Sequence, residues 1–140
     1  MILYLETSSL VKLYVLEKDS EAVRGSVEAS EAVATSVLAY AEARAAFARK
    51  LRERGITKEA HGAVKRALDA DWPSFFVLNV TAGTACAAGD LAEKHGLRGF
   101  DALHLASAVE LRAAGVTDLR FSSADDRLRA AARVEGFDPA

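Results

Sequence analysis

Four acidic residues have the chemical character expected of ligands for a hard divalent cation. They are Glu6, Glu42, Asp101 and Asp125. Carboxylate oxygens without histidine or cysteine support favour Mg²⁺ or Mn²⁺ over zinc, and magnesium usually keeps several waters and binds substrate phosphate. One or two such ions can activate a water and neutralise charge during cleavage of a phosphodiester. Metal-assisted phosphodiester chemistry is therefore the activity that these residue types suggest.

Each of the four also has an ordinary explanation. Asp101 and Asp125 stand at predicted helix starts, where carboxylates commonly cap backbone N–H groups, and Glu6 is equally well explained as a loop carboxylate. Glu42 is harder to explain in this way. The alanines around it indicate a packed helix, and no lysine or arginine lies four residues away. A carboxylate on a buried helix is costly unless it is paired, hydrogen-bonded or metal-bound.

The elements that must position these residues alternate between short apolar runs and longer helical segments. Strands are predicted at 2–5, 32–35, 75–80 and 119–122, with a weaker one near Phe137. Helices are predicted at 9–17, 20–29, 36–54, 57–72, 81–95, 101–114 and 124–134. This alternation predicts an α/β fold, a three-layer α/β/α sandwich with a mostly parallel four- to five-stranded sheet, as one domain over residues 1–140.

In such a sheet, binding sites form beyond the carboxyl ends of the strands, where helix N-termini also point. Glu6 ends the first strand, and Asp125 follows the strand at 119–122. Asp101 heads a predicted helix, and Glu42 lies two turns into the helix that follows the second strand. We therefore expect the four carboxylates to converge at one edge of the sheet.

Composition narrows the functional classes. The net charge is −2, so any polyanion would have to be held by a local patch or by bridging metal. Such a patch exists in Arg44, Arg49, Lys50, Arg52 and Arg54, although a solvated helix face explains these charges equally well.

The N-terminal apolar run is too short and too interrupted for a leader or a membrane span. The single cysteine, Cys86, is expected to be a small buried thiol rather than a nucleophile. A lone cysteine favours a reducing compartment, so we expect a cytoplasmic protein with no membrane association.

Histidine offers little to a metal site in this sequence. His104 follows Asp101 by three residues on the same predicted helix and is open to interpretation as a ligand or a general base. An imidazole hydrogen-bonded to a neighbouring group is the commoner arrangement, and we expect that role.

Four stretches together resemble the signature motifs of PIN-domain ribonucleases, particularly VapC-type toxins of toxin–antitoxin pairs. They are Leu5-Glu6-Thr7-Ser8, the segment 36–42, Asp101-Ala102-Leu103-His104-Leu105-Ala106, and Ser123-Ala124-Asp125. Each motif is weak alone, but all four occur in the right order at compatible spacing over essentially the whole chain.

The resemblance implies an endoribonuclease of PIN-like fold. Glu6, Glu42, Asp101 and Asp125 would bind one or two Mg²⁺ or Mn²⁺ ions, with Thr7 and Ser123 as supporting polar groups. It further implies an RNA substrate, a cognate antitoxin that covers the acidic cleft, and a homodimer. Arg44, Arg49 and Lys50 would then hold the RNA backbone.

Glu6 departs from the family pattern, which has aspartate at the end of the first strand. Its extra methylene extends the carboxylate by about 1.5 Å, whereas metal sites commonly require placement within about half an ångström. Three explanations stay open: a site that tolerates glutamate, an attenuated or inactive toxin, and a substitution introduced to make a toxic protein expressible. The alternative function is therefore a catalytically attenuated PIN scaffold that acts through protein binding.

Two other α/β classes fit the sequence poorly. A phospho-acceptor receiver domain needs an aspartate directly after a central strand and a lysine near the end, and neither is present. A dinucleotide-binding domain needs a glycine-rich loop after the first strand, where this chain has Glu6-Thr7-Ser8-Ser9.

Overall fold

The computed structural model describes residues 1–140 and contains seven α-helices and five strands. The strands are β1 (Ile2–Leu5), β2 (Ala32–Ser36), β3 (Phe76–Leu78), β4 (Leu119–Ser122) and β5 (Asp138–Pro139). The helices are α1 (Thr7–Lys12), α2 (Ser20–Glu28), α3 (Leu38–Arg52), α4 (Lys58–Asp71), α5 (Ala82–His95), α6 (Gly99–Ala113) and α7 (Asp126–Val134).

All five strands are parallel, in the order β3-β2-β1-β4-β5, which confirms the predicted α/β fold. The chain moves outward from β1 through β2 to β3 and then crosses to β4 on the other side of β1. The direction of winding therefore changes between β1 and β4. In open parallel sheets, a crevice forms at this position beyond the carboxyl ends of the strands.

The sheet is covered on both faces, as the predicted sandwich requires. Alternate residues of β1 point to opposite sides, so Tyr4 packs with α5, α6 and α7, whereas Leu3 and Leu5 pack with α1 to α4. Phe47 of α3 is fully buried on the side of Leu3 and Leu5, and Leu105 of α6 is fully buried on the side of Tyr4. The two faces of β1 thus hold separate apolar clusters.

Two helix boundaries that bear on the site differ from the prediction. The first helix was predicted to reach residue 17, but α1 ends at Lys12 because the amides of Leu13 and Tyr14 bond three residues back and close the turn. The Ser20 hydroxyl then donates to the Val15 carbonyl and fixes the following loop. At the other site helix, α6 begins at Gly99, two residues before the predicted start.

Smaller differences occur elsewhere. α3 begins at Leu38, two residues after the predicted start at Ser36, because Ser36 ends β2 and Val37 takes the N-cap position. The Ser36 hydroxyl still accepts the Leu38 amide at 3.2 Å. The third strand is shorter than predicted, and the weakly predicted fifth strand is present as β5.

Cys86 is exposed, so the prediction of a buried thiol is wrong. It lies on the outer face of α5. Thr84 and Ala88 occupy the buried positions of this helix. None of the seven helices combines the length and the apolar character needed to cross a lipid bilayer.

Candidate active site

The first carboxylate lies directly beyond the central strand. Glu6 follows β1, and its amide extends the ladder by donating to the Ser122 carbonyl at the end of β4. Its side chain is only 5% exposed, and Oε2 accepts hydrogen bonds from the hydroxyls of Ser8 and Ser123, the second at 2.8 Å. The first turn of α1 and the loop after β4 therefore hold the Glu6 carboxylate between them.

Glu42 lies on α3, in the helical layer that packs against the Leu3 and Leu5 face of the sheet. Its Oε1 accepts hydrogen bonds from Thr7 Oγ1 and His104 Nε2, both at 2.7 Å. Burial by itself would raise the pKa of Glu42, but the hydrogen bonds from His104 and Thr7 outweigh it and hold the pKa below its ordinary value of 4.5. Glu42 is therefore a charged, oriented carboxylate near neutral pH.

Asp101 is the third residue of α6, and Arg98 occupies the N-cap position, so capping does not explain this carboxylate. The carboxylate is mostly buried, and Oδ2 faces the Arg98 guanidinium at 3.4 Å. Since the Arg98 side chain is 86% exposed, this ion pair is weak and easily broken.

Asp125 does cap its helix, because Oδ1 accepts the amide of Leu128 at 2.8 Å. It does not line the cleft that the other three carboxylates share. Its backbone is nevertheless tied to that cleft, since the amide of Asp125 donates to Ser123 Oγ at 3.1 Å and Ser123 in turn donates to Glu6.

One pattern is common to all four carboxylates. In each, every hydrogen bond from the protein reaches a single oxygen: Oε2 of Glu6, Oε1 of Glu42, Oδ2 of Asp101 and Oδ1 of Asp125. No buried side-chain oxygen or nitrogen lacks a hydrogen-bond partner, so the second oxygen of each group must be accessible to solvent. Each carboxylate is thus oriented through one oxygen and keeps the other available for a ligand.

The cleft that contains Glu6, Glu42 and Asp101 has a volume of about 530 Å³. Basic side chains of α1 and α3 line the same cleft: Lys12, Arg49 and Lys50. They form its basic side, where the acidic residues Glu17 and Glu53 also line the cleft. This arrangement suits a polyanion that meets metal ions at one point and ammonium or guanidinium groups beside it.

Arg44 is separated from the other predicted backbone-binding residues. Its guanidinium donates to the Tyr40 hydroxyl at 2.7 Å and lies 5.6 Å from the centre of the Tyr40 ring. It does not line the cleft, whereas Arg49 and Lys50 do.

An ion-pair network fixes the basic side. Glu17 accepts from Lys12 at 3.3 Å and from Lys50 at 2.8 Å, and Lys12 also donates to the Lys18 carbonyl at 2.8 Å. Burial alone would raise the pKa of Glu17, but hydrogen bonds from Lys50 and Lys12 lower it. Glu17 therefore stays charged and holds the two lysines at the rim of the cleft.

Several of these residues were not found by sequence reasoning. Ser8 bridges Glu6 to the loop after β4, where its hydroxyl also accepts the amide of Ala124 at 2.8 Å. Lys12 lies one turn after Ser8 on α1, and this spacing was the available signal that both side chains lie on the same face of the helix. Nothing in the local sequence indicated that Glu17 would pair with Lys50, because the two are 33 residues apart.

Comparison with known proteins decides the family. The sequence model of a protein family described as the PIN domain matches residues 3–134 of the chain. The chain belongs to the PIN-domain family. Ribonuclease VapC46 of Mycobacterium tuberculosis is 36% identical over 135 residues, which cover 96% of this PIN domain and 93% of the relative. Ribonuclease VapC49 of the same species is 34% identical over 135 residues, covering 96% and 92%.

Solved structures share the fold of this PIN domain. FitAcB from Neisseria gonorrhoeae has a TM-score of 0.72 at 22% identity, covering 99% of this chain and 98% of that one. Mycobacterium tuberculosis VapC20, described as a sarcin-ricin loop cleaving toxin, has a TM-score of 0.66 at 18% identity with the same coverage. A toxin–antitoxin complex from Klebsiella pneumoniae has a TM-score of 0.64 at 16% identity, covering 88% and 86%.

The donor chemistry of this PIN domain fits a divalent cation. Three carboxylates line one cleft, and each presents an accessible oxygen of the hard type that Mg²⁺ and Mn²⁺ prefer. No three acidic, histidine or cysteine side chains are grouped closely enough to enclose an ion by themselves. An ion in this cleft would therefore complete its coordination with water and substrate oxygens, as Mg²⁺ commonly does.

Proposed function

We propose that this PIN-domain protein is a metal-dependent endoribonuclease that cleaves RNA phosphodiester bonds. The observation that carries the proposal is the cleft in which Glu6, Glu42 and Asp101 each present an accessible carboxylate oxygen beyond the ends of the parallel strands. The similarity to proteins named Ribonuclease VapC46 and VapC49 over 96% of the chain supports the same activity. Mg²⁺ or Mn²⁺ is the proposed cofactor, and RNA is the proposed substrate.

The proposed ligands are Glu6, Glu42 and Asp101, with Asp125 beside them. A bound ion would supply Lewis-acid activation of a water and neutralise charge on the phosphate. The protein's part is orientation: Ser8 and Ser123 fix Glu6, and Thr7 fixes Glu42. Because such orientation is present before substrate binds, little reorganisation is needed during the reaction.

The basic side of the cleft is proposed to hold the RNA backbone next to the bond that is cleaved. Arg49 and Lys50, with Lys12, face the same space as the carboxylates. Contacts of this kind go to phosphate and position the strand without reading its sequence. Arg44, engaged with Tyr40, is assigned no part in this contact.

We also propose that the protein is the toxin of a toxin–antitoxin pair, acting in the cytoplasm as a homodimer. The fold similarity to a toxin–antitoxin complex supports a protein partner. The acidic cleft, where the exposed Arg98 already pairs with Asp101, is a surface that another basic side chain could occupy. A small neighbouring reading frame that encodes a DNA-binding segment and a polar tail would support this assignment.

The experiment that tests the nuclease is RNA cleavage by purified protein with Mg²⁺, with Mn²⁺ and with EDTA. We expect cleavage with either metal and none with EDTA. We expect Glu42→Gln and Asp101→Asn to reduce the cleavage rate at least 100-fold, because each removes a charged oxygen ligand without changing side-chain size. The rate is measured by gel analysis of an end-labelled RNA.

Asp126→Asn is the matched control, since Asp126 is 98% exposed and pairs only with Arg129 on α7. It should cleave RNA at the wild-type rate. Cleavage that persists in Glu42→Gln and Asp101→Asn, or that survives EDTA, would contradict the proposed site.

A second candidate function is a PIN scaffold that acts through protein binding with little catalysis. Glu6 favours it, because the longer side chain uses its reach to bind Ser8 and Ser123. The carboxylates also do not form a closed ligand group. Replacement of Glu6 by aspartate distinguishes the two functions, because a gain in RNA cleavage supports the nuclease and no gain supports the scaffold.

A further inference from the structure

His104 lies at the centre of a buried hydrogen-bond chain behind the acidic cleft. The imidazole is 0% exposed, with Nδ1 2.8 Å from the Tyr4 hydroxyl and Nε2 2.7 Å from Glu42 Oε1. Thr7 Oγ1 lies 3.1 Å from the same Nε2 and donates to the same Glu42 oxygen. None of the cleft-lining residues is His104 or Tyr4.

The inventory of donors and acceptors fixes the direction of this chain. An ionised Glu42 can only accept, so Nε2 must carry a hydrogen for its contact with Oε1. The Tyr4 hydroxyl can donate its single hydrogen to Nδ1, so both imidazole nitrogens have a hydrogen-bond partner. Two donors, the imidazole N–H and the Thr7 hydroxyl, then converge on Oε1. No protein donor reaches Oε2, and Glu42 lines the cleft.

The chain also joins the two helical layers across the strand ends. Glu42 belongs to α3 on one side of the sheet, and His104 belongs to α6 on the other. Tyr4 reaches His104 from β1 and is itself held by stacking on Phe121, with ring centres 5.3 Å apart. The direction of the Glu42 carboxylate is therefore set by the packed sheet rather than by its own helix.

We propose that His104, oriented by Tyr4, is a positioning residue that directs Glu42 Oε2 into the cleft for metal binding. The inference rests on the proposed metal-dependent nuclease. His104 has no access to substrate, and both of its nitrogens are occupied, so it acts only through Glu42. Partners of this kind behind a metal ligand typically change metal affinity by roughly 10–100-fold when they are replaced.

The experiment measures Mn²⁺ binding in the absence of RNA, by the electron paramagnetic resonance signal of free Mn²⁺ during titration. We expect His104→Leu to weaken binding by at least about tenfold, because the donor to Glu42 is lost while an apolar side chain fills the space. His104→Gln keeps an N–H donor and should retain affinity within about threefold of wild type. Tyr4→Phe keeps the ring packing and should weaken binding about fivefold, because the hydrogen bond to His104 is lost.

His95→Leu is the control, since His95 pairs with Glu135, neither residue lines the cleft, and the change should leave Mn²⁺ affinity unchanged. Circular dichroism in EDTA shows which variants fold. If His104→Leu does not fold, the Mn²⁺ affinity of Tyr4→Phe tests the positioning role. Unchanged affinity in Tyr4→Phe and in folded His104→Leu would overturn the positioning role alone. A wild-type protein that binds no Mn²⁺ would overturn the metal site, and this inference with it.

Discussion

At the scale of single residues, Glu6 is the residue that departs from what the sequence resemblance implies. The resemblance places an aspartate at the end of the first strand, and this chain has glutamate. In the structure the longer side chain is buried and accepts from Ser8 and Ser123, so it is integrated into the loops rather than free in solvent. Its length therefore contributes to local stability even if it displaces the carboxylate from the ideal ligand position.

We expect Glu6→Asp to raise metal-dependent RNA cleavage several-fold while lowering the free energy of unfolding by about 1 kcal/mol. The shorter side chain withdraws the carboxylate toward the strand end by about 1.5 Å and loses reach to the two serines. Cleavage rates and urea unfolding measure the two effects. Glu28→Asp, on the exposed face of α2, should change neither.

If Glu6→Asp gains neither cleavage nor Mn²⁺ affinity, the interpretation as a protein-binding scaffold becomes the better one. If cleavage rises without any loss of stability, the serine contacts contribute less than the structure indicates.

At the scale of elements, α6 is the helix on which the site depends, because it carries both Asp101 and His104. It packs against α5, whose start is fixed by a capping box between Thr81 and Thr84. The Thr84 hydroxyl also donates to Glu110 of α6 at 3.1 Å, which links the two helices directly. The N-terminus of α5 was predicted from Thr81, and the structure confirms it.

We expect Thr81→Ala to lower the free energy of unfolding by about 1 kcal/mol, because the amide of Thr84 loses its acceptor at 3.2 Å. Chemical denaturation monitored by circular dichroism measures the change. Thr117→Ala is the matched control, since Thr117 is exposed in a loop and makes no side-chain hydrogen bond. Equal losses in the two variants would show that the cap contributes nothing specific.

At the scale of the whole molecule, ion pairs that join distant segments make stability depend on pH. The hydrogen bond from Lys94 lowers the pKa of Glu135 against the effect of burial, and His95 adds to the lowering. The pKa of Glu17 is also lowered by its lysines, although burial opposes them. In the unfolded chain both groups return to the ordinary value of 4.5.

The unfolded state therefore binds more protons than the folded state as the pH falls through 4.5. The stabilisation from Glu17 and Glu135 is fully present above about pH 5 and is lost as the pH drops through their folded pKa values. We expect the free energy of unfolding to fall as the pH drops below about 5, and to fall less steeply in the Glu17→Gln/Glu135→Gln double variant. Urea unfolding across this range measures both slopes.

Glu28→Gln is the control for the pH experiment, because Glu28 is exposed and forms no ion pair. It should keep the wild-type slope. A double variant with the wild-type slope would show that the two ion pairs do not carry the acid sensitivity.

The sequence by itself determined the order of the elements and the edge of the sheet at which chemistry is expected. Apolar runs and cap residues are local signals, so β1, β2, β4 and the start of α5 were predicted close to their observed positions. The side on which Glu6 and Asp125 lie followed from strand direction alone. The ends of α1 and α6 were misplaced because they depend on hydrogen bonds from loops and on packing.

Only the tertiary structure decided how the four carboxylates differ. It separates Asp125, which caps α7, from the three that line the cleft, and it removes Arg44 from the basic side. It also brings His104 to Glu42 across 62 residues of sequence. Short-range patterns cannot encode such contacts, because they arise where two helical layers meet over the sheet and depend on the packing of both.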